Sequence, residues 1–583
     1  MKRYIYYFMI IGLLPVFSCT DGLDLYPNDK VTVDNYWNTA EDALRAVNAT
    51  YSNIFPQSDT YGCDLLFLDA ASDNTYPQHS NQFGNFQQIA LNAFEANHAV
   101  LQELWNRRYV TIRRCADFLV NIGNVNMDPI LKNRYTAEVL FQRAYAYYYL
   151  IAQFGDVPWV DHPLTIQEAS SIRRTDKYAI AKQIISDLDY AAANLPSSYT
   201  NEEDDGRVTR WAAFALKSRI CMFMAGDYRK SSPDQKWYWE QARDATDSVI
   251  TKSGKSLYTP NNQLTGEISI SIGILSISSY RKLFYDDAAS VGSGEIIYDS
   301  QFTSAERALY GFTVKIACIS DGGWNSWVPT QSMVDAYEVK VSNSEAYPID
   351  DPRSNYNPDD PYVNRDPRLA ASIYYTGTGG TTLAGSEYNS QPGSTSGDKM
   401  DQHNGSPTGY GWKKYVDPSL IGVWDTGHDF PLIRLAEVYL DAAEARNELA
   451  NSPSEDAKIR NYSGMTRWRV GMPDFPNNLT KDEMRERIRN ERRVELAFEG
   501  ARFFDIRRWG IAENVLNAED GWIIGMKLDN AGGYQVVESG KWKGHVKVRQ
   551  RTLFTSDQYV WPIPSREIEL NPNLEAEPLM EIE

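Results

Sequence analysis

The chain has 583 residues, 58 Lys plus Arg against 77 Asp plus Glu, and a formal net charge of −19. That balance argues against a nucleic-acid binder, which needs a concentrated positive field to hold phosphates. The five cysteines (Cys19, Cys63, Cys115, Cys221 and Cys318) form no CxxC pair, and with only 6 histidines no Cys/His cluster has zinc spacing. Aromatics are abundant at 15 Trp, 37 Tyr and 21 Phe. Such rings suit cores, interfaces and ring-stacking sites alike.

The N-terminus reads "MKRYIYYFMIIGLLPVFSC", a basic start at Lys2 and Arg3 followed by an apolar run to Phe17. The run is too short and wrongly flanked for a membrane span, so residues 1–18 are predicted to be a signal peptide. Ser18 before Cys19 resembles a bacterial lipobox, in which Cys19 becomes the acylated N-terminus and anchors the chain to a membrane. Residues 19–35, "CTDGLDLYPNDKVTVDN", then form a polar tether.

Helical patterns fill residues 36–258. "TAEDALRAVNATYSNIF" spaces Ala43, Val47, Tyr51 and Ile54 along one face, and "AEVLFQRAYAYYYLIAQFG" does the same with Leu140, Ala144, Tyr147, Tyr148 and Ile151 before Gly155. "TDKYAIAKQIISDLDYAAANLP" opens on a capping Thr/Asp pair and stops at Pro196. Small alanines beside bulky aromatics in consecutive helix pairs resemble tetratricopeptide-type repeats, with no fixed period. Residues 259–430 change character. Gly, Ser, Asn, Asp, Pro and Tyr dominate, with short strand-like runs "EIIYDSQF" and "RLAASIYY". A long ordered loop region of this kind is often functional. Helix returns over 431–583, first in "FPLIRLAEVYLDAAEARNELA", where Leu435, Val438, Ala442 and Ala445 share a face. The expected architecture is mostly α: tetratricopeptide-like helix pairs carrying a loop-rich, short-strand binding region, with the C-terminal helices packed back on the scaffold in one compact unit.

Five segments in order carry a family resemblance. They are the lipobox followed by "DGLDLYP", then "QRAYAYYYLIAQFGDVPWV", "FPLIRLAEVYLDAAEA", "ERRVELAFEGARFFDIRRWG" and "YVWPIPSREIELNPNL". Together they resemble the SusD/RagB family of surface nutrient-binding lipoproteins of Bacteroidota, over essentially the whole mature chain. The tail "EAEPLMEIE" departs from the family's usual ending. The resemblance implies four tetratricopeptide-like helix pairs, no catalytic activity and no cofactor. It also implies a place on the outer membrane facing the cell surface, a glycan ligand, and a SusC-like TonB-dependent barrel that the protein caps as a lid.

Sugars present apolar C–H faces to aromatic rings and hydroxyls to amides, carboxylates or guanidinium groups. Trp324, after Asp321-Gly322-Gly323, is the strongest candidate, because glycines expose a side chain on a tight turn. Its position, and that of Tyr310 ahead of Gly311, is similar to that of stacking residues in the family. Trp327 reads as core. A second candidate is the stretch around "SDNTYPQHSNQFGNF", with Asp73, Asn74, Tyr76, Phe83 and Phe86. Asp350, Asp351, Asp359 and Asp360 supply oxygens of the kind calcium prefers, but without EF-hand spacing, so a solvated acidic loop is the expectation and a calcium ion the alternative. Rival functions are a peptide-binding member of the same family, a glycoside hydrolase, which needs two facing carboxylates, and a purely structural surface protein. Finally, Glu491, Glu495 and Glu499 recur every four residues in "RNERRVELAFEGARFFDIRRWG". We expect a structural ion-pair lattice there, with Arg492 pairing Glu495 and Arg502 pairing Glu499 within a helix.

Overall fold

Local signals fix where the scaffold helices begin and end. The computed structural model describes residues 36–52, 57–58, 62–63, 68–80, 85–226, 234–258, 277–286, 294–304, 309–377 and 380–582, with backbone alone at 57–58, 62–63, 277–278, 309–310 and 425. The signal, Cys19, the tether, Ile54 and Phe83 lie outside these residues. Helix α1 (Ala40–Tyr51) opens on a reciprocal cap between Thr39 and Asp42, which satisfies two N–H groups of the first turn. Helix α2 (Ala99–Asn121) follows. Asp128 and Pro129 open α3 (Pro129–Phe154), and Gly155, at φ 74°, closes it. Helix α4 (Lys177–Asn194) starts at Asp176, whose carboxylate accepts from the Tyr178 and Ala179 amides at 2.8 and 3.2 Å. Then come α5 (Arg210–Gly226), α6 (Gln235–Lys252), α7 (Leu435–Leu449) and α8 (Ala457–Trp468). Each packs on its predecessor, and α6 packs directly on α7 although residues 253–434 intervene. The loop-rich region is therefore inserted between two neighbouring scaffold helices.

The sequence expectation of one apolar stripe on α3 is too narrow. Every residue from Ala137 to Phe154 is buried, as expected of a helix covered on all sides. Two of its polar side chains find internal partners: Arg143 forks onto Asp187 at 2.8 and 2.9 Å, and the Tyr147 hydroxyl accepts from the Val160 amide at 2.7 Å.

Within the insertion, "EIIYDSQF" forms the strand Ile296–Ser300, paired antiparallel with Phe430–Arg434. "RLAASIYY" differs from its strand-like reading. Asp366 caps a six-residue helix, Pro367–Ser372, before a two-residue strand at Ile373–Tyr374. The strand Thr75–Pro77 crosses from the N-terminal half to pair with Trp327–Pro329, placing Tyr76 opposite Val328. Trp327 is fully buried, as expected.

Helix α9 (Lys481–Glu495) ends where the chain turns through Phe498 (φ 65°) and Gly500 (φ 78°) into α10 (Ala501–Arg508). The turn corrects the pairing expected from spacing. Arg492 reaches Asp441 on α7 and Asp505 on α10, and Arg502 reaches Asp73 at 2.8 Å. The three glutamates instead take partners from distant segments. Glu491 is held by Arg368 and Arg467, Glu495 by Arg368, Arg434 and Arg469, and Glu499 by Arg434 and Lys414. Burial works to raise the Glu495 pKa, but the cations at Arg469, Arg434 and Arg368 outweigh it and hold the carboxyl below the usual range. The lattice joins α7, α9, α10 and the insertion.

Candidate functional site

The segment "CISDGGWN" builds a rigid turn. Asp321 is fully buried and accepts from the Tyr374 hydroxyl and from the Leu383 and Ala384 amides, both at 2.8 Å. Gly322 is left-handed at φ 73°. A Cβ at Gly323 would lie 2.1 Å from the Ala317 carbonyl oxygen, so only glycine fits. Trp324 then donates its amide to the Val314 carbonyl at 2.8 Å. Its own carbonyl accepts from the Gln78 amide at 3.1 Å and from the His79 ring at 3.3 Å. The indole, only partly buried, thus extends from a backbone held on both sides.

A second tryptophan completes the site. Trp424 meets Trp324 edge to face, with ring centroids 4.9 Å apart and planes at 74°, a favoured aromatic geometry. The two loops touch at their glycines, since a Cβ on Gly322 would lie 2.9 Å from Gly422 Cα. Leu309–Tyr310 pairs with Asp425–Thr426, which sets the Tyr310 backbone opposite Asp425. The Gly311 amide donates to the Trp424 carbonyl at 2.7 Å, and a Cβ on Gly311 (φ 62°) would strike the Trp424 ring at 2.8 Å. Tyr310 and Trp324, 14 residues apart, are thus brought together through Trp424. Sequence reasoning missed Trp424. Its cue was present in "IGVWDTG", a loop Trp just after a Gly, like the one that pointed to Trp324.

Burial lowers the His79 pKa, the nearby His403 lowers it further, and the Trp324 carbonyl opposes them; the net shift is downward. The ring beside the tryptophans is therefore neutral at pH 7. Two partly exposed indoles next to an uncharged imidazole offer apolar faces with a hydrogen-bonding rim.

The other expected ligand residues take structural places. Asp73 is buried between Arg493 and Arg502, at 2.9 and 2.8 Å. Burial raises its pKa, but those guanidinium groups overcome it and the carboxyl stays ionised. Asn74, fully buried, donates to Asp69 and accepts from Arg493. Tyr76 packs with Leu91, Val328 and Ile523, its hydroxyl accepting from Gln87 at 2.8 Å. Phe86 is a core residue at 1% exposure. The loop reading failed for these four because a strand pairing 250 residues away draws the segment inward. Of the acidic candidates, Asp350 pairs with Lys541 at 2.7 Å, Asp351 with Arg353 at 2.6 Å and Asp359 with Lys527 at 2.9 Å, while the Asp360 carboxylate is exposed. Among the described residues no group of three or more His, Cys, Asp or Glu is gathered to hold a metal.

Comparison with known proteins agrees with this architecture. A family model described as the SusD family matches residues 295–579, and one described as "Starch-binding associating with outer membrane" matches residues 24–222. The chain is 25% identical to "SusD-like protein P25" of Formosa agariphila, over 98% of this chain and 97% of that one. Among solved structures it resembles a SusD-like carbohydrate binding protein from Bacteroides fragilis, at TM-score 0.77 and 28% identity, covering 93% of this chain and 100% of that one. A laminarin binding SusD-like protein shares the fold, at TM-score 0.62 and 20% identity over 92% and 98% of the two chains.

Proposed function

Because the chain belongs to the SusD/RagB family, we propose that it is an outer-membrane lipoprotein that binds glycan at the cell surface. In this reading Trp324 and Trp424, with Tyr310 beside them, take the sugar. Cys19 carries the lipid, and the protein caps a SusC-like TonB-dependent barrel as its lid and delivers glycan to it. One observation carries the binding assignment: a partly exposed edge-to-face tryptophan pair on glycine-locked turns. Indoles held in advance spend little ordering entropy on capture, and their faces match the C–H faces of a sugar ring. Support also comes from the Bacteroides fragilis relative, named as carbohydrate binding, and from the family description that mentions outer-membrane association. Among the described residues no helix is long and apolar enough to cross a membrane. The reading assigns the chain no reaction.

Isothermal titration of the purified protein against a panel of polysaccharides tests the site. Trp324→Ala should weaken binding more than tenfold, about 1.4 kcal/mol; unchanged affinity would sink the assignment. A pull-down from outer membranes should recover a large TonB-dependent barrel, and its absence would count against the lid role. Hydrolysis of a glycan by the pure protein would overturn the non-enzymatic reading.

A further inference from the structure

A cleft of about 650 Å³ opens beside the helix Gln331–Ala336, lined by none of the residues of the tryptophan site. Its volume falls within the range of small-molecule sites. Its lining includes Tyr356, Tyr362, Trp542 and His545, and the three largest of these rings are partly exposed.

A continuous hydrogen-bond chain runs through the lining from Tyr362 to Trp542. The Tyr362 hydroxyl meets the Tyr410 hydroxyl at 3.1 Å, and Tyr410 donates to the Gln331 carbonyl oxygen at 2.6 Å. The Gln331 amide donates to Asp335 Oδ1 at 2.7 Å, and the Trp542 indole N–H donates to Asp335 Oδ2 at 2.7 Å. Because Tyr410 gives its proton to Gln331, Tyr362 must be the donor in the first link. Tyr362 is also backed by Tyr375, stacked at 4.3 Å. Tyr362 and Trp542 are thus fixed in advance by this polar chain, while Arg365 lies over the Tyr356 ring and Lys541 over the Trp542 ring, each at 5.6 Å.

The charge of the lining narrows the ligand. Five aspartates (335, 350, 359, 360 and 529) face two lysines, Lys527 and Lys541. Both lysines are already paired, Lys541 with Asp335 and Asp350 and Lys527 with Asp359. Burial lowers the His545 pKa, and the net shift is downward. An anionic ligand would meet surplus negative charge and no free cation in the lining.

We propose that this cleft is a second saccharide site, taking a short neutral stretch of glycan between Trp542 and Tyr356. The inference rests on the glycan-binding reading above. Gln331, in the lining of the cleft, lies seven positions after Trp324, so their Cα atoms are at most about 25 Å apart. One polysaccharide chain can span that distance, and engaging both sites would multiply affinity by effective concentration.

Titration with soluble starch, laminarin, galactomannan and xyloglucan as neutral probes, and alginate as the acidic one, tests it. Trp542→Ala combined with Tyr356→Ala should weaken the bound neutral polymer at least fivefold, with the circular dichroism spectrum unchanged. Trp542→Phe, which keeps a ring face, should retain most of the affinity, and alginate should not bind. Full affinity in the folded double variant, or alginate binding equal to the neutral probes, would overturn the proposal. If the double variant fails to fold, crystals of the parent protein soaked in short oligosaccharides of the bound polymer decide. Sugar density in the cleft supports the proposal, and density confined to Trp324 and Trp424 overturns it. A loss in the double variant with none in Trp324→Ala would sink the first site and leave the second. Failure of the parent to bind any neutral probe would remove both.

Discussion

The arginine–carboxylate lattice and the tryptophan turn are built from opposite materials. In the lattice, Glu495 and Arg469 are fully buried, and Arg469 serves carboxylates from segments far apart in the chain, Glu295 and Glu495. In the turn, position is set by glycines, backbone hydrogen bonds and the buried Asp321 carboxylate, and the candidate binding rings keep part of their surface in water. The conspicuous chemistry holds the fold, while the candidate site rests mainly on residues that constrain backbone.

The largest break in this comparison is expected at Glu495. Glu495→Ala leaves Arg368, Arg434 and Arg469 buried without one of their carboxylates, a loss of about 3–5 kcal/mol, measurable as a lower denaturation midpoint. Because the folded-state pKa of Glu495 is depressed, its contribution is present above its unfolded value near 4.5 and disappears as pH falls through the folded value.

Asp69 tests the lattice edge with the opposite sign. Burial pushes its carboxyl up to about 7 from 3.8, so the folded state holds a proton that the unfolded chain has released. Stability should therefore fall as pH rises between about 4 and 7, by up to about 1.4 kcal/mol per unit. Asp69→Asn should remove that fall. Parallel stability curves for the two proteins would refute the account.

On the tryptophan side, Gly311→Ala probes geometry alone. The added methyl meets the Trp424 ring, so glycan affinity should drop about three- to tenfold, or 0.7–1.4 kcal/mol. The left-handed backbone should cost about 1 kcal/mol of stability. Unchanged affinity would show that Trp424 is not a ligand contact. The smallest effect belongs to the exposed pair Arg353–Asp351, where Arg353→Ala should give no resolvable shift in Tm.

The scaffold was legible because it rests on local signals: caps at Thr39 and Asp176, the stop at Gly155, and the period of the apolar residues. The turn at Trp324 was legible for the same reason, since the glycines that shape it stand beside it. What failed depended on distance along the chain. Asp73 looked like a loop residue, but its partners are Arg493 and Arg502, some 420 residues on. The i, i+3 spacing of Arg492 and Glu495 suggested a pair, but the three-dimensional lattice offered both residues better-placed partners. Trp424 needed the strand pairing of Tyr310 with Asp425 to become visible as a neighbour of Trp324.

The direct packing of α6 on α7 makes everything between them a closed excursion of roughly 180 residues from an intact stack. The entropy of closing so long an excursion grows only logarithmically with its length, so adding ten residues costs under about 0.1 kcal/mol. Length changes in the exposed loops of this excursion that leave Arg368, Arg434 and Glu338 in the lattice should therefore cost the helices little. A chain organised this way can vary its loop tips while its helical stack and buried lattice stay in place.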